Sequence, residues 1–202
     1  MNHVKVFENV FDAKFCKKLI KKFNKSSKIV EGVVSTEEVE SYRADEFLVS
    51  KDVHMGEHKE WEKLNRAYHD QISKVVLQYL EDYKHIIYDR CILHLDNAIM
   101  SRYEKHSGKF NIHQDAVGNS YLRSLTIITY LNHVSEGGET RFHNFDLDIK
   151  PELGSVLIFP SDFIHVHEGR VPVSNDKYLV VSFASIHVGV PELVEKALKS
   201  LK

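Results

Sequence analysis

The triplet His113-Gln114-Asp115 places two metal-binding side chains at a spacing that suits one ion. On an extended strand, side chains two positions apart point to the same face, so both residues could bind one metal. A further imidazole would complete a set of two histidines and one carboxylate, and His165 and His167 are both available downstream. Such a set leaves three positions of an octahedral ion open for a bidentate ligand and dioxygen, whereas a closed four-ligand site would not.

Alone, the His-x-Asp triplet is weak evidence, because a histidine is more often a hydrogen-bonded residue of the surface or the core. The sequence that follows makes the signal more specific. A glycine turn, Gly137-Gly138-Glu139-Thr140, separates the triplet from the later histidines. A Pro151-x-x-Gly154 turn then opens an apolar run, and Lys177 stands ten residues after His167.

This succession of motifs resembles a known enzyme family. The segment from Tyr103 to Phe183 is similar to the core of the 2-oxoglutarate- and Fe(II)-dependent dioxygenases, and within them to the prolyl 4-hydroxylase-like branch. The resemblance implies Fe(II), 2-oxoglutarate as cosubstrate and dioxygen, with ascorbate as an additional candidate cofactor. It also implies that His113, Asp115 and His167 bind the metal and form the catalytic centre. In such enzymes the cofactors carry out the oxidation, while the protein sets the geometry and excludes water.

The basic residue Lys177 favours one of the two later histidines. In the family, the distal histidine stands about ten residues before the basic residue that binds the far carboxylate of 2-oxoglutarate, and His167 matches this interval. His165 would lengthen the interval to twelve residues, so we expect it to support the site or to face the substrate. A buried carboxylate needs a cation, because an unpaired buried charge costs several kcal/mol. Lysine supplies a point charge where many relatives use arginine.

The resemblance further assigns Tyr103, Tyr130 and Thr140 to 2-oxoglutarate binding. Tyrosines so placed in related hydroxylases donate hydrogen bonds to the bound 2-oxo acid. The alternative is that these tyrosines fill an apolar core and have hydroxyl groups satisfied by protein partners. Phe183, six residues after Lys177, corresponds to an aromatic residue that lines the cosubstrate pocket in relatives.

Composition narrows the class of protein. The chain has 202 residues, enough for one domain with a substantial core, and no Pro/Ser-rich linker divides it. Its 27 Lys and Arg against 29 Asp and Glu give no basic stripe, so nucleic acid is not an expected partner. Two cysteines cannot form a disulfide framework, and the N-terminal residues lack the apolar core of a signal peptide. We predict a cytoplasmic protein without a membrane-spanning segment, of open oligomeric state.

Residues 1–95 are predicted to form a helical support with a candidate lid. A strand at 4–7 precedes a helix that is capped by Asp12 and has its apolar residues on one stripe. Apolar residues at three- and four-residue steps indicate a second helix at 61–79, which should pack on the outer face of a sheet. Periodicity fades from Ser27 to Gly56, a length typical of a binding loop or lid.

Residues 96–190 show short β-rich runs separated by Gly, Asn and Pro turns. The run from Leu122 to Leu131 is nearly continuous and rich in Thr and Ile, which indicates a strand buried on both faces. We predict a mainly β fold with flanking helices, built on a double-stranded β-helix, that is, a jelly-roll or cupin-like core. Residues 191–202 are predicted to form a C-terminal helix that closes the single domain 1–202.

The expected reaction is hydroxylation of an unactivated C–H bond, coupled to conversion of 2-oxoglutarate to succinate and carbon dioxide. A prolyl residue of a peptide or protein is the expected substrate, with Tyr42 and Arg43 of the candidate lid closing over an extended chain. The alternative substrate is a free amino acid or other small metabolite, whose carboxylate Arg123 or Arg141 could bind.

Two other classes of protein use similar motifs. A cupin-like metal isomerase or hydrolase could share the barrel and the metal ligands, but it would have no use for Lys177. A non-catalytic binding module derived from an oxygenase typically lacks a ligand or the basic residue, and this chain retains both. Asp115 argues against a halogenase, because halide generally takes the place of that carboxylate.

Overall fold

The computed structural model describes residues 2–33, 47–83 and 91–188. Two α-helices occur in these parts of the chain, α1 (Ala13–Phe23) and α2 (Glu62–Asp82). The described strands are β1 (Lys5–Phe7), β2 (Val30–Glu31), β3 (Leu48–Val49), β4 (Lys51–His54), β5 (Cys91–Leu95), β6 (Ile99–Tyr103), β7 (Lys109–His113), β8 (Arg123–Tyr130), β9 (Thr140–Phe142), β10 (Leu147–Ile149), β11 (Val156–Pro160), β12 (His167–Gly169) and β13 (Lys177–Val188). The predicted first strand and both predicted N-terminal helices are therefore present.

The strands form two antiparallel sheets. The larger sheet has the order β1-β11-β8-β13-β6-β4-β2, with β5 paired to β13. The smaller sheet has the order β10-β9-β12-β7-β3. Strands that are neighbours in space are mostly distant in sequence, as expected when a chain winds between two facing sheets. The prediction of a mainly β fold with flanking helices is confirmed.

Helix α1 begins where its sequence predicts. The Asp12 carboxylate accepts a hydrogen bond from the backbone N–H of Phe15 at 2.7 Å, which satisfies one of the free donors of the first turn. One stripe of the helix is buried, formed by Cys16, Leu19 and Phe23. Its burial removes apolar surface from water and fixes the helix against the rest of the core.

Helix α2 packs on the outer face of the larger sheet, as predicted. Its buried residues recur at three- and four-residue steps and share one apolar cluster with residues of β8 and β13. The Tyr68 hydroxyl reaches through this cluster and lies 3.2 Å from both the Thr129 and the Ser182 hydroxyl oxygens. These contacts anchor the helix to the two central strands that carry the candidate site on their other face.

The space between the two sheets holds a second apolar cluster. Its buried members come from both sheets and include several aromatic side chains: Leu48, Tyr103, Ile128, Tyr130, Phe142, Leu157, Phe159 and Leu179. Strand β8 is buried over its last six residues, so its successive side chains face the outer cluster and the inner cluster in turn. The prediction that this strand is buried on both faces is confirmed.

The predicted glycine turn adopts a conformation that requires glycine. Gly137 and Gly138 have φ angles of 71° and 76°, in the left-handed region that other residues rarely adopt. A Cβ atom on Gly137 would lie 2.4 Å from the carbonyl oxygen of Val171, so no side chain fits there. The turn brings the Gly138 carbonyl next to the start of β13, where it accepts a hydrogen bond from Lys177.

Some predictions fall outside the described residues. These are the central part of the candidate lid with Tyr42 and Arg43, and the helix predicted at 191–202. The rest of the segment from Ser27 to Gly56 contributes the short strands β2, β3 and β4. Among the described helices, neither is long and apolar enough to cross a membrane.

Candidate metal centre and cosubstrate pocket

Three predicted ligands meet between the sheets. One donor atom each of His113, Asp115 and His167 lies within 4.8 Å of the other two, and no other such group of three occurs among the described residues. The two histidines are paired directly across β7 and β12. The Asp115 carboxylate lies between them, with Oδ1 3.6 Å from His113 Nε2 and Oδ2 3.6 Å from His167 Nε2.

The position of Asp115 differs from the prediction. We predicted His113 and Asp115 on one extended strand, but β7 ends at His113 and Asp115 lies two residues beyond it. The strand ends there because its partner β12 begins at His167, opposite His113, and offers no residues for further pairing. The backbone then turns toward the end of β11, where Ala116 N–H donates to the Ser161 carbonyl at 3.0 Å. The two side chains still face the same space.

Backbone carbonyl groups orient both imidazole rings. His113 Nδ1 lies 2.7 Å from the Asn111 carbonyl oxygen, and His167 Nδ1 lies 2.9 Å from that of His165. A carbonyl oxygen only accepts, so each Nδ1 carries a proton, and Nε2 is the ring atom left to bind a metal. Burial, with a smaller contribution from the neighbouring His167, lowers the pKa of His113 to about 4. Both rings are therefore oriented to bind a metal through Nε2.

The carboxylate has a partner of its own. The Thr126 hydroxyl lies 2.6 Å from Asp115 Oδ2 and 2.8 Å from the Ser161 hydroxyl oxygen, so it donates to the carboxylate. Burial raises the pKa of Asp115, but the two histidines and the Thr126 hydrogen bond more than offset this, and the pKa lies below its ordinary value. The group is thus ionised at neutral pH, as a metal ligand must be.

The donor set fits a divalent metal ion. Two imidazoles and one carboxylate, with donor atoms within 4.8 Å of one another, are the ligand types of mononuclear non-haem iron sites with open positions. The described residues supply three ligands rather than the four of a structural zinc site. The arrangement can therefore bind a metal and leave room for exogenous ligands.

Lys177 is a buried cation. Only 1% of its surface is exposed, and its Nζ donates to the Gly138 carbonyl at 3.0 Å and lies 4.7 Å from the centre of the Tyr103 ring. No carboxylate of the described residues forms an ion pair with it, although Glu139 acts on it from a distance. Burial lowers the pKa of Lys177 to about 8. A buried charge without a counter-ion is costly, so this position suits an anionic ligand.

Two of the three polar residues predicted around the cosubstrate, Tyr103 and Tyr130, lie on the strands that flank β13, and the third, Thr140, lies on β9 of the smaller sheet. Tyr103 and Lys177 are paired across β6 and β13, and Tyr130 is paired with Leu179 across β8 and β13. The Tyr130 hydroxyl is 2.7 Å from the Thr140 hydroxyl oxygen, whereas the Tyr103 hydroxyl has no hydrogen-bond partner among the described residues. Burial raises the pKa of both tyrosines, so both hydroxyl groups keep their protons. The structure thus joins Tyr130 to Thr140 and places Tyr103 beside Lys177.

His165 lies in a bend before β12, outside the strand that carries His167. Its Nδ1 is 2.7 Å from the Asp162 carboxylate and its Nε2 is 2.7 Å from the Asn2 carbonyl oxygen. Both ring nitrogens are therefore already occupied, and the contribution of His165 to the site is its backbone carbonyl, which orients His167.

The two candidate arginines differ in position. The Arg123 guanidinium lies 3.6 Å from the centre of the Phe183 ring and donates to the Asp115 carbonyl at 3.4 Å, so it borders the metal ligands. Arg141 instead forms ion pairs with Asp146 and Asp148 at the surface. Phe183, predicted to line the pocket, lies beneath Arg123.

Sequence reasoning missed the residues that support the ligands. Thr126 and Ser161 were not predicted, and nothing in their types marks them as functional. One signal was available for Thr126. It lies four residues before Tyr130 on the same strand, and side chains at even spacing on a strand share a face.

Comparisons with known proteins address the family of the chain. The sequence model of the 2OG-Fe(II) oxygenase superfamily matches residues 98–185, a segment that contains all three metal ligands and Lys177. None of the curated protein sequences compared with the chain matches it.

Solved structures of prolyl hydroxylases share the fold. A prolyl hydroxylase from Trichoplax adhaerens, in complex with a peptide fragment of the hypoxia inducible factor oxygen degradation domain, has a TM-score of 0.74 and 14% identity, covering 92% of this chain and 84% of that one. The viral collagen prolyl hydroxylase of Paramecium Bursaria Chlorella virus-1, in its 2OG complex, has a TM-score of 0.62 and 19% identity, covering 91% and 96%. A Pseudomonas putida prolyl-4-hydroxylase has a TM-score of 0.65 and 13% identity, covering 92% and 93%.

At these identities the structural likeness concerns the fold, and it confirms the predicted double-stranded β-helix. The family is indicated by the match of the sequence model over the segment that carries the site. Members of this family use Fe(II), 2-oxoglutarate and dioxygen, in agreement with the predicted cofactors. Over residues 98–185, the segment that carries the candidate site, the chain is therefore similar to the 2OG-Fe(II) oxygenase superfamily.

Proposed function

We propose that the protein is an Fe(II)- and 2-oxoglutarate-dependent hydroxylase that acts on a prolyl residue of a peptide or protein. The observation that carries the oxygenase part is the combination of two features in one pocket. The metal ligands His113, Asp115 and His167 leave coordination positions open, and the buried Lys177 has no carboxylate partner among the described residues. A metal-binding protein without a dicarboxylate ligand would gain nothing from burying that lysine.

In this proposal the three ligands hold Fe(II) by His113 Nε2, His167 Nε2 and the Asp115 carboxylate. The hydrogen bonds at each Nδ1 and the Thr126 hydroxyl keep the donor atoms oriented when no substrate is bound. When bound, iron and 2-oxoglutarate supply the oxidising chemistry, in which a C–H bond becomes C–OH and 2-oxoglutarate and dioxygen become succinate and carbon dioxide.

Residues of both sheets bind the cosubstrate in this proposal. Lys177 pairs with the far carboxylate of 2-oxoglutarate, which provides the missing counter-ion. The Tyr103 ring lies beside that lysine, and its hydroxyl, which has no hydrogen-bond partner among the described residues, can donate a further hydrogen bond. Tyr130 and Thr140 already contact each other, so one of the pair can donate to the ligand while it accepts from the other. Burial of these groups excludes water from the pocket.

The choice of a prolyl substrate is supported by the relatives in fold. One of them is described with a peptide fragment bound, and the other two are a collagen prolyl hydroxylase and a prolyl-4-hydroxylase. The lysine at position 177 adds support, because the prolyl 4-hydroxylase-like branch typically has lysine there.

A free amino acid or small metabolite is the second candidate substrate, and one observation favours it. The Arg123 guanidinium borders the metal ligands and could bind a substrate carboxylate with a two-bond geometry. Arg141 cannot do so in this arrangement, because its guanidinium is already engaged by two surface carboxylates.

The first test of the proposal is anaerobic addition of Fe(II) and then 2-oxoglutarate to the purified protein. We expect one iron per chain and the weak visible charge-transfer band of iron chelated by a 2-oxo acid. The absence of this band, with iron bound equally well by His113→Ala, would contradict the proposal. The iron ligands would then have to be sought elsewhere.

The second test identifies the substrate class. Succinate formation is measured with proline-rich peptides, free proline and a panel of other amino acids, and hydroxylated products are located by mass spectrometry. We expect stimulation by peptides that contain proline. Stimulation by free amino acids and by no peptide would remove the peptidyl substrate and leave the oxygenase proposal intact.

A further inference from the structure

Exposed apolar side chains are concentrated next to the metal ligands. Among the described residues, Tyr121 and Phe163 are the most exposed large hydrophobic residues, at 71% and 72%. Val117, Leu122 and Ile164 are exposed as well. We call these five residues the apolar rim. Val117, Tyr121 and Leu122 follow Asp115 in the chain, and Phe163 and Ile164 precede His167. The rim therefore comes from two segments that are each adjacent in sequence to a metal ligand.

The two segments of the rim leave the metal site side by side. Ala116 N–H donates to the Ser161 carbonyl at 3.0 Å, and Ser161 N–H donates to the Ser124 carbonyl at 3.1 Å. The Thr126 hydroxyl links the same two segments, because it contacts both Asp115 and Ser161. The hydrogen bonds that hold the Asp115 carboxylate thus also hold the two rim segments together beside the metal site.

The rim carries almost no charge. Residues 116–122 and 161–166 contain one charged side chain, Asp162. Its carboxylate is occupied locally, since Oδ1 accepts hydrogen bonds from the backbone N–H groups of Ile164 at 3.0 Å and of His165 at 3.2 Å, and lies 2.7 Å from His165 Nδ1. An uncharged surface of exposed aromatic and branched side chains is typical of an interaction surface, because exposing it to water has a cost that a partner removes.

We propose that the apolar rim binds apolar side chains that flank the hydroxylated residue in a polypeptide substrate. This inference rests on the proposed hydroxylase function and narrows its substrate class to segments with apolar neighbours of the target residue. A small metabolite that fits inside the pocket beside the metal would leave the rim exposed. Among substrates, one that extends out of the pocket is needed to cover the rim.

The position of the rim argues against a permanent partner. A second copy of the chain seated on it would cover the segments that border the metal site and hinder entry of the substrate. A polypeptide substrate covers the rim only during turnover and therefore leaves the site open between cycles. The rim also supplies two aromatic side chains, the residue type that most often dominates binding energy at protein interfaces.

The test uses labelled peptides bound to the protein under anaerobic conditions, with iron and 2-oxoglutarate present. Two proline-centred peptides of equal length and charge are compared, one with leucine and valine beside the proline and one with serine and asparagine. Fluorescence anisotropy gives the dissociation constants. We expect the apolar peptide to bind at least about tenfold more tightly.

Rim variants then locate the preference. The double variant Tyr121→Ser/Phe163→Ser should bind the apolar peptide at least about tenfold more weakly than the wild type. Its affinity for the polar peptide should change little. Leu77→Ser is the matched control, because Leu77 is 59% exposed on α2, away from the metal ligands. Unchanged iron content and an unchanged 2-oxoglutarate charge-transfer band in the variants show that the centre itself is intact.

Three outcomes would overturn the rim proposal. One is equal affinity for the two peptides. Another is a rim variant that binds the apolar peptide like the wild type but sediments as a monomer where the wild type is a dimer, which would make the rim a contact between copies. A third is rim-dependent binding to lipid vesicles without rim-dependent peptide binding. If peptide binding depended on the rim but no peptide were hydroxylated, the rim would be a peptide-binding surface and the proposed hydroxylase function would be contradicted.

Discussion

The two ends of the pocket differ in how fully their polar groups are satisfied. At the metal end, each ligand has a partner outside the ligand set: Asn111 for His113, His165 for His167 and Thr126 for Asp115. At the other end, Lys177 has one backbone carbonyl as its partner and no carboxylate among the described residues. The protein itself orients the ligands at the metal end. At the lysine end, the described residues supply no negative charge to pair with Lys177.

This difference indicates which residues should control metal binding and which should control cosubstrate binding. The metal ligands are oriented by the fold itself, so metal binding should depend on them and only weakly on the cosubstrate. The lysine is stabilised mainly by what binds to it, so its removal should affect the cosubstrate and leave the metal in place. The first two predictions separate these events.

The largest expected effect is on metal binding. His167→Ala should weaken Fe(II) binding by more than about 100-fold, because it removes a ligand that no described residue can replace. His165→Ala should keep the affinity within about tenfold of the wild type, because the backbone carbonyl that orients His167 is still present. Anaerobic calorimetry of Fe(II) binding measures both. Loss of iron in His165→Ala with retention in His167→Ala would exchange the two assignments.

The next effect concerns the cosubstrate. Lys177→Met should weaken 2-oxoglutarate binding by roughly 100-fold or more while iron stays bound, because it removes the partner of a buried carboxylate. The charge-transfer titration gives the affinity, and Lys150→Met, at an exposed position, is the control. If the affinity of Lys177→Met were unchanged, another cation would have to bind the far carboxylate.

Lys177→Met should weaken 2-oxoglutarate binding but stabilise the folded protein when no ligand is bound. The folded protein holds the pKa of Lys177 at about 8 instead of the ordinary 10.5, which corresponds to roughly 3 kcal/mol as an upper estimate. Below about pH 8 the buried amine is charged in both states and this cost is fully present. Between about pH 8 and 10.5 the unfolded chain binds more protons than the folded one, so wild-type stability rises with pH.

Lys177→Met should therefore unfold at a higher denaturant concentration than the wild type at pH 7 when 2-oxoglutarate is absent. The advantage should shrink as the pH approaches 10, where the wild-type lysine is neutral in the folded state. Urea unfolding at several pH values measures it. A variant less stable than the wild type at pH 7 would show that the ammonium group is well satisfied without a ligand.

The contrast between the two ends also explains what could be predicted from the sequence. His113, Asp115, His167 and Lys177 could be singled out because their side-chain types suit the expected chemistry and their spacing matches the family that the chain resembles, and the structure brings the first three together. The same reasoning placed Asp115 on a strand, which was wrong, because the end of β7 is set by where its partner β12 begins. Pairing between distant segments leaves little trace in local sequence.

The supporting groups were harder to predict for a different reason. Two of them are the backbone carbonyls of Asn111 and His165, and every residue has such a group, so the residue type carries no signal. Thr126 contacts Asp115 from β8, and Ser161, just beyond β11, contacts Thr126, so only the fold brings these groups together. Helices α1 and α2 and strand β8, which is buried over its last six residues, were predicted well, because burial imposes a regular apolar pattern.

The smallest predicted effect concerns the hydrogen bond that orients Asp115 at the metal end. Thr126→Val keeps the shape of the side chain but removes the hydroxyl that donates to Asp115 at 2.6 Å. The carboxylate then loses the group that fixes its rotation, so Fe(II) should bind about tenfold more weakly and dissociate faster to a chelator. Thr129→Val is the matched control, because Thr129 lies on the same strand and contacts Tyr68 on the other side of the sheet. At saturating iron, 2-oxoglutarate affinity should be unchanged in both variants. If Thr126→Val bound iron like the wild type and lost 2-oxoglutarate affinity instead, Thr126 would belong to the cosubstrate pocket and the division between the two ends would have to be redrawn.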